Sequence, residues 1–147
     1  RLHEKISVQL SRQLFWDEGL GQRLLEMMDR YGAKPEEIEL ALDEKAISSR
    51  GIDKLLVSMN RLKSYGFSLA LIHFGEDFSS FRYLRNLPVD SLKFEEAYIK
   101  ENMQNKKGRQ IIKTVIRLGK DLKLLLVAQG IVDKMEVSAL FERPKEF

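Results

Sequence analysis

Short apolar runs alternate with helical stripes of apolar residues along the whole chain, and this alternation restricts the possible folds more than any other feature. Continuous or period-two apolar patterns predict five strands, at residues 5–10, 38–42, 67–72, 89–94 and 124–128. Apolar residues at three- and four-residue spacing predict helices between them, at residues 20–28, 52–62, 79–87 and 111–122. Strands that alternate with helices form parallel sheets with right-handed crossovers. We therefore expect an α/β fold.

Length and composition indicate one globular domain. The chain has 147 residues, enough for a hydrophobic core of its own, and no cysteine, which excludes disulfides and thiolate metal sites. A net charge of +3 is too small to indicate nucleic-acid binding by itself. No apolar run is long enough to insert into a membrane and no signal peptide is visible. We expect a cytoplasmic location, either of a whole protein or of the cytoplasmic part of a membrane-anchored one.

Polar side chains stand at the carboxyl ends of the predicted strands. In α/β barrels these ends converge on one mouth, which carries the catalytic groups. The residues at or just after the five strand ends are Gln9, Glu44, Ile72 with His73, Lys93 with Glu95, and Gln129. They predict a polar pocket that is poor in metal ligands, because Mg²⁺ prefers carboxylate oxygens and only Glu44, with Glu95 nearby, offers them.

Six short motifs occur in the order, and at nearly the spacing, of one bacterial family. The matching pairs are residues 8–11 with VNLS, 39–44 with ELEITE, 71–80 with LDDFGTGYSS, 87–93 with LPVDxLKID, 127–131 with VAEGV, and 141–144 with FSRP. On these motifs the chain resembles the EAL domain, a family that hydrolyses the second messenger cyclic di-GMP. The resemblance implies a TIM-like (β/α) barrel of the EAL type, incomplete in this chain.

The resemblance extends over residues 1–147 but covers only part of the family's domain. The family's first strands and the EAL signature itself, which carries a metal-binding glutamate in the family, are absent from this sequence. Residues 132–140 are too short for the family's last helix and strand. Either a deletion or a missing segment accounts for that region.

The departures from the family pattern fall on its catalytic positions. The resemblance implies that in active members the asparagine of VNLS, the last glutamate of ELEITE and the two aspartates help to bind two metal ions. This chain has Gln9, Ile72 and His73 in place of the asparagine and the aspartates, and retains only Glu44. The VAEGV glutamate, to which the resemblance assigns activation of the attacking water, is Gln129, whose amide accepts no proton at neutral pH. We therefore expect no catalytic residue, no bound metal and no cofactor.

Several pocket residues allow more than one interpretation. His73 is either a metal ligand or a hydrogen-bonding structural group, and the lack of a second histidine near it favours the latter. Glu44 and Lys93 form either part of a ligand site or an ion pair. The alternative of a ligand site is a pocket that contacts a nucleotide and is formed by Glu44, Lys93, Glu95 and Arg143. In that pocket Lys93 or Arg143 holds a phosphate group.

Four cations share one face of the last predicted helix. They are Arg109, Lys113, Arg117 and Lys120. They recur at three- and four-residue spacing, and acidic residues are scarce beside them. The face is either solvated exterior or a surface for RNA, a lipid surface or an acidic partner.

Three functions of different classes follow from a retained scaffold with lost catalytic groups. The first is an interaction module that contacts a protein partner or another domain of a GGDEF–EAL protein. The second is a receptor that binds cyclic di-GMP without metal, as some degenerate members of the family do. The third, which we rank last, is a weak phosphodiesterase. A degenerate member that assists the turnover of small regulatory RNAs adds an alternative based on the basic face, by analogy only.

Overall fold

The computed structural model describes residues 5–130 of the chain. Over that range the elements are β1 (Ile6–Gln9), α1 (Arg12–Trp16), α2 (Leu20–Tyr31), β2 (Ile38–Asp43), α3 (Ile52–Ser64), β3 (Ser68–Ile72), β4 (Ser91–Phe94), α4 (Glu96–Met103), α5 (Lys106–Asp121) and β5 (Leu125–Ala128). Single 3₁₀ turns lie at Pro35–Glu37, Glu44–Ala46 and Phe81–Tyr83. The predicted α/β alternation is confirmed.

The strands form one parallel sheet in the sequential order β1-β2-β3-β4-β5. Leu40 of β2 lies opposite Val8 of β1 and Leu69 of β3, while Leu92 of β4 lies opposite Leu71 of β3. Parallel neighbours that follow one another in sequence require each connection to return along the sheet. Helices make three of the four crossings, and the β3–β4 connection has only the 3₁₀ turn Phe81–Tyr83. Because all the strands point the same way, their carboxyl ends lie along one edge of the sheet.

The face of the sheet that contacts the helices is apolar. Leu40, Leu42, Leu69, Leu71 and Leu92 are each at most 1% exposed and belong to the main hydrophobic core. Complete burial of a leucine side chain is worth about 1.5–3 kcal/mol. This layer therefore supplies a large part of the driving force that holds the helices on the sheet.

The opposite face of the sheet carries small and polar side chains, as the period-two geometry of a strand dictates. Ala41, Ala70 and Ile72 form a separate small cluster there. On the same face Glu39 of β2 forms an ion pair with Lys93 of β4. In a (β/α) barrel this face lines the interior, so we call it the inward face.

The helix predicted at residues 79–87 is wrong. The structure has one 3₁₀ turn there, Phe81–Tyr83. At the start of the segment the hydroxyl group of Ser80 donates to the buried Glu44 carboxylate at 2.7 Å, which ties the chain to the end of β2. At its other end Pro88 disfavours helical geometry in the residue before it. Between these two constraints the chain forms a single 3₁₀ turn instead of a regular helix.

Two helices, α1 with 5 residues and α4 with 8, are too short to show helical periodicity in the sequence. Helix α1 begins at a serine cap, because the Ser11 hydroxyl accepts the N–H of Leu14 at 3.3 Å. Helix α4 is separated from α5 by Asn105, whose side chain accepts the N–H of Gly108 at 2.7 Å. A side chain at Gly108 would place its Cβ 2.1 Å from the carbonyl oxygen of Asn102, so the close turn between the two helices requires glycine.

The helices between residues 5 and 130 were predicted not to insert into a membrane. None of them is both long and apolar enough to cross a bilayer. The predicted cytoplasmic location stays a prediction.

Candidate functional site at the strand ends

The parallel sheet gathers most of the predicted site residues along one edge. The strand register places Asp43, at the end of β2, opposite Ile72, at the end of β3. The backbone N–H of Gln129 donates to the carbonyl of Phe94 at 2.8 Å, which fixes Gln129 beside the end of β4. We call this edge the mouth and define it by Gln9, Asp43, His73, Glu95 and Gln129.

His73 occupies the centre of the mouth between two carboxylates. Its ring nitrogen Nδ1 lies 2.8 Å from Oδ2 of Asp43, and its other nitrogen, Nε2, lies 3.2 Å from Oε1 of Glu95. The three side chains are each about one third exposed, at 32%, 29% and 38% respectively. The hydrogen-bonding interpretation of His73 therefore agrees with its contacts, which join the ends of β2, β3 and β4.

The electrostatics of this cluster favour a charged imidazole. The hydrogen bond to Asp43 raises the pKa of His73; burial opposes this, and the negative charges of Asp43, Glu95 and Glu76 add to the rise. Burial alone would raise the pKa of Asp43, but hydrogen bonds from the Lys45 N–H and from His73 outweigh it and hold that pKa below its usual value. The two shifts are the two sides of one favourable interaction.

The backbone at His73 is as unusual as its side chain. Its φ of 55° lies in the left-handed region, where histidine is one of the few residues found with some frequency. The chain turns sharply there, directly after the last residue of β3. This turn points the imidazole toward both neighbouring strand ends.

Glu44 does not belong to the mouth, contrary to our expectation of a central carboxylate. Its side chain is completely buried and accepts hydrogen bonds from the N–H of Gly75 at 2.8 Å and the hydroxyl of Ser80 at 2.7 Å. The hydroxyl of Ser79 also donates to its backbone carbonyl at 2.8 Å. Asp43 faces inward, and the next residue along the chain therefore faces the loop that follows β3. Glu44 anchors that loop.

Of the two interpretations of Glu44 and Lys93, the one that joins them in an ion pair is wrong. Lys93 pairs with Glu39 on the inward face, where both side chains are only 11% exposed, and its Nζ donates to the Ser7 hydroxyl at 3.3 Å. Burial would raise the pKa of Glu39, but the hydrogen bonds from Lys93 and Ser7 and the Lys93 charge hold it below its usual value. The positive charge of Lys93 is therefore already compensated within the protein.

The roles of three inward-facing residues of β2 were not predicted from the sequence. Asp43 and Glu39 are partners of His73 and Lys93, and between them Ala41 takes the position of the central glutamate in ELEITE. The signal was present in the motif itself. Alternation along a strand puts residues 39, 41 and 43 on one face, and hence residue 44 on the other.

The described side chains do not fit the two-metal site that the family resemblance implies. Ile72 offers no donor atom, His73 has both nitrogens engaged, and both carboxylate oxygens of Glu44 are used inside the loop. Among residues 5–130 no group of three or more His, Cys, Asp or Glu side chains is arranged to hold a metal ion. Arg143 and residues 132–140 lie outside the described residues.

The four cations of the basic face lie on α5, between residues 109 and 120. Arg117 is exposed, Lys113 is half-buried, and Arg109 donates to the carbonyl of Met103 at 2.9 Å, which anchors it at the end of α4. The buried side of the helix is formed by Gly108, Ile112, Val115 and Gly119. The cations therefore do not face the core, and their ligand-binding role stays a prediction.

An apolar groove lies between α5 and the loop that follows β3. Phe78, Phe81 and Ile111 line it and are 41%, 46% and 44% exposed, which is unusual for such large apolar side chains. The groove has a volume of about 680 Å³ and also contacts Val115. The rings of Phe78 and Phe81 touch edge to face at 5.8 Å between centroids. Exposed apolar surface of this kind is typical of protein–protein contact.

A parallel sheet covered by helices, with polar groups gathered at the strand ends, defines a TIM-like α/β fold. The chain belongs to the EAL domain family, whose family model matches residues 1–145. Two relatives named for activity on cyclic di-GMP are similar to it. The bifunctional diguanylate cyclase/cyclic di-GMP phosphodiesterase MucR of Pseudomonas aeruginosa is 29% identical over 126 residues, 86% of this chain and 18% of that protein. The probable cyclic di-GMP phosphodiesterase PdeB of Escherichia coli is 30% identical over 128 residues, 87% of this chain and 24% of that protein.

Solved EAL structures confirm the fold. The MucR phosphodiesterase in complex with cyclic di-GMP aligns with a TM-score of 0.81 at 28% identity, covering 92% of this chain and 55% of that one. The EAL enzyme Bd1971 aligns with a TM-score of 0.84 at 20% identity, covering 92% of this chain and 36% of that one. The chain spans about a fifth of the length of several full-length relatives, at 20%, 17% and 18%. The chain thus corresponds to part of the length of these EAL proteins, and the relatives MucR and PdeB are named for activity on cyclic di-GMP.

Proposed function

We propose that this chain is a non-hydrolytic EAL domain that acts in cyclic di-GMP signalling by contact with a protein partner. The observation that carries the proposal is the set of side chains that occupies the mouth. Where the family motif has two aspartates, the chain has Ile72 and His73, and the histidine is held by Asp43 and Glu95. The same change that removes the family's acids fills their place with an internal ion pair.

Hydrolysis of a phosphodiester by two metal ions needs groups that hold the metals and a base that activates water. Neither is offered by the described mouth, since Gln129 stands where the motif has glutamate and Glu44 is buried in a loop. Lys93, one of the two cations predicted to hold a phosphate group, is neutralised by Glu39. These losses act on separate requirements of the reaction, and together they support an inactive domain.

Contact with a protein is favoured over binding of cyclic di-GMP by the distribution of charge and apolar surface. Asp43, Glu95 and Glu76 surround His73, so the mouth is predominantly negative and repels phosphate groups. The groove at Phe78 and Ile111, by contrast, exposes apolar area that a partner would bury. We propose a neighbouring GGDEF domain or a separate protein, in the cytoplasm, as that partner.

The direct test is a hydrolysis assay on the complete native polypeptide. Cyclic di-GMP is incubated with the protein and Mg²⁺ or Mn²⁺, and the linear dinucleotide is measured, with P. aeruginosa MucR as the positive control. We expect no metal-dependent product. Turnover within a few orders of magnitude of the enzyme median of ~10 s⁻¹ would refute the proposal.

Calorimetric titration with cyclic di-GMP separates the contact module from the receptor. We expect no binding heat with or without Mg²⁺, because carboxylates surround His73 at the mouth and Lys93 is already paired with Glu39. Binding that persists in the presence of EDTA would instead identify a metal-independent receptor.

RNA contact through α5 is a second candidate function. The observation that favours it is the exposed position of Arg117 on the same face as Lys113, away from the buried side of the helix. Salt dependence of binding distinguishes this candidate from a solvated helix, because release of counterions makes RNA affinity fall with salt.

A further inference from the structure

The contacts of His73 favour its charged state, because its hydrogen bond to Asp43 and its ion pair with Glu95 are both stronger when the ring carries a second proton. A neutral imidazole carries one N–H donor and one lone pair, whereas the imidazolium carries two donors. Both nitrogens of His73 face carboxylate oxygens, at 2.8 Å on Asp43 and 3.2 Å on Glu95. The Asp43 contact is a hydrogen bond, whereas the Glu95 contact is an ion pair, to which a neutral ring would offer no countercharge. Both contacts are favourable together only when the ring is charged.

The groups around the imidazole reinforce this state. Asp43 approaches from the end of β2, Glu95 from the start of α4 and Glu76 from the loop that contains His73 itself. The neighbouring strand ends contribute the uncharged amides of Gln9 and Gln129. Lys45, the cation next to this group, acts on Asp43 through its backbone N–H and its charge.

We propose that a proton on His73 serves as the cation that joins the ends of β2, β3 and β4, so that these three elements form a pH-operated clamp without a metal ion. When the proton leaves, one nitrogen loses its donor and one carboxylate is released. The longer contact, to Glu95, is the one we expect to open. The raised pKa of His73 places this event at a higher pH than for an ordinary histidine.

The clamp also contacts two parts of the structure outside the mouth, helix α4 and the loop that follows β3. Glu95 is the N-cap residue of α4 and makes no side-chain cap bond, because its carboxylate is turned toward His73. On the other side, His73 begins the loop whose Gly75 N–H is held by Glu44. A side chain at Gly75 would meet the ring of Tyr98 on α4, so the loop and the helix are packed together. Release of Glu95 therefore changes the support of α4 and of the loop beside the apolar groove.

The test is an NMR titration of the imidazole ¹⁵N resonances in the intact polypeptide. In the wild type we expect both nitrogens of His73 to stay protonated at a pH where an ordinary histidine, with a pKa of about 6.5, has begun to lose its proton. The substitutions Asp43→Asn and Glu95→Gln should each shift the midpoint to lower pH, and the double variant should shift it furthest. Glu101→Gln on α4 is the matched control and should leave the midpoint unchanged.

Two results would overturn the clamp. One is a His73 midpoint that ignores both carboxylate substitutions; the other is a neutral ring in the wild type below pH 6.5, which needs no variant to detect. Excess Mg²⁺ should also leave the midpoint in place, and a fall in its presence would mean that the mouth takes the metal instead of the proton. The proposed function fails on a different result, cyclic di-GMP hydrolysis, so each can fail without the other.

Discussion

The role of Glu44 depends on which way its side chain points. The sequence correctly predicts an acidic residue at the end of β2, but it lies on the loop side, where it accepts from Gly75 and Ser80. Reading the strand as alternating would have assigned the inward place to Asp43 and the loop side to Glu44. What no local pattern supplies is the distant partner, because Ser80 is 36 residues away along the chain.

Substitution Glu44→Gln should destabilise the protein through the loop. The amide keeps the shape of the side chain but replaces one acceptor by a donor, so either the Gly75 N–H or the Ser80 hydroxyl loses its charged partner. Hydrogen bonds to charged groups contribute roughly 1.5–3 kcal/mol, and we expect a loss of that size in urea unfolding. Glu101→Gln, an exposed substitution, should change stability by less than about 0.5 kcal/mol. Equal stability of the two variants would contradict the anchoring role.

Lys93 and Glu39 form a buried ion pair in which each charge compensates the other. Lys93→Met leaves the Glu39 carboxylate buried with no countercharge, which costs about 3–5 kcal/mol for a buried pair. The double variant Lys93→Met with Glu39→Leu removes both charges and should recover most of that loss. The free energy of unfolding of the two single variants and the double variant provides the measurement. Additive losses would show that the two residues act independently.

Helices and strands that bury one apolar face in the core lie where the sequence predicts them. Strands β2, β3 and β5 and helices α2, α3 and α5 lie where apolar periodicity places them, because their inner faces pack into one core. The segment at residues 79–87 fails because hydroxyl bonds to Glu44 and a proline compete with helical geometry. Helix α1 is set by its Ser11 cap, and α4 is set off from α5 by the turn at Asn105, and neither feature leaves a trace in hydrophobic periodicity.

Helix α5 gives the sharpest test of the RNA alternative. Each neutralised phosphate of single-stranded RNA contributes a slope of roughly −0.7 to log affinity against log salt. If α5 binds RNA, replacing Lys113 and Arg117 by glutamine should flatten that slope by about 1–2 units, measured by fluorescence anisotropy over a salt series. The pair Arg30→Gln and Lys34→Gln, near the end of α2, controls for net charge. A slope indifferent to the α5 substitutions, or no RNA binding at low salt, would leave α5 as a solvated exterior helix.

At the scale of the whole molecule, the two faces of the sheet carry different kinds of side chain. Apolar and charged residues that alternate along the sequence are separated onto opposite faces. One face is a leucine layer under the helices, and the other holds paired charges such as Glu39 with Lys93. The family motifs predict this scaffold and the loss of the aspartates. They do not predict that His73 would join Asp43 to Glu95, because that contact depends on the register of three strands and on a left-handed residue at the turn.

This arrangement makes the stability of the protein depend on pH in two opposite directions. His73 has a raised folded pKa, so its contribution is complete below the unfolded value of about 6.5 and is lost as the pH rises through the folded value. Asp43 and Glu39 have lowered folded pKa values, so their contributions are present above about pH 4 and are lost as the pH falls through the folded values. Maximum stability is therefore expected between these windows.

Urea unfolding over a pH series of the wild type and the His73→Gln variant measures the alkaline side of this dependence. The free energy of unfolding of the wild type should decline above the unfolded histidine pKa of about 6.5, since the unfolded chain binds fewer protons there than the folded chain does. Glutamine cannot titrate, so the variant should show a flatter decline over the same range. It should keep the acidic decline that comes from Glu39, whereas the part from Asp43 should shrink because Asp43 loses the hydrogen bond and charge of His73. Parallel curves for the two proteins on the alkaline side would mean that the His73 proton contributes nothing to stability, and the contacts of His73 with Asp43 and Glu95 would then not act on the fold as a whole.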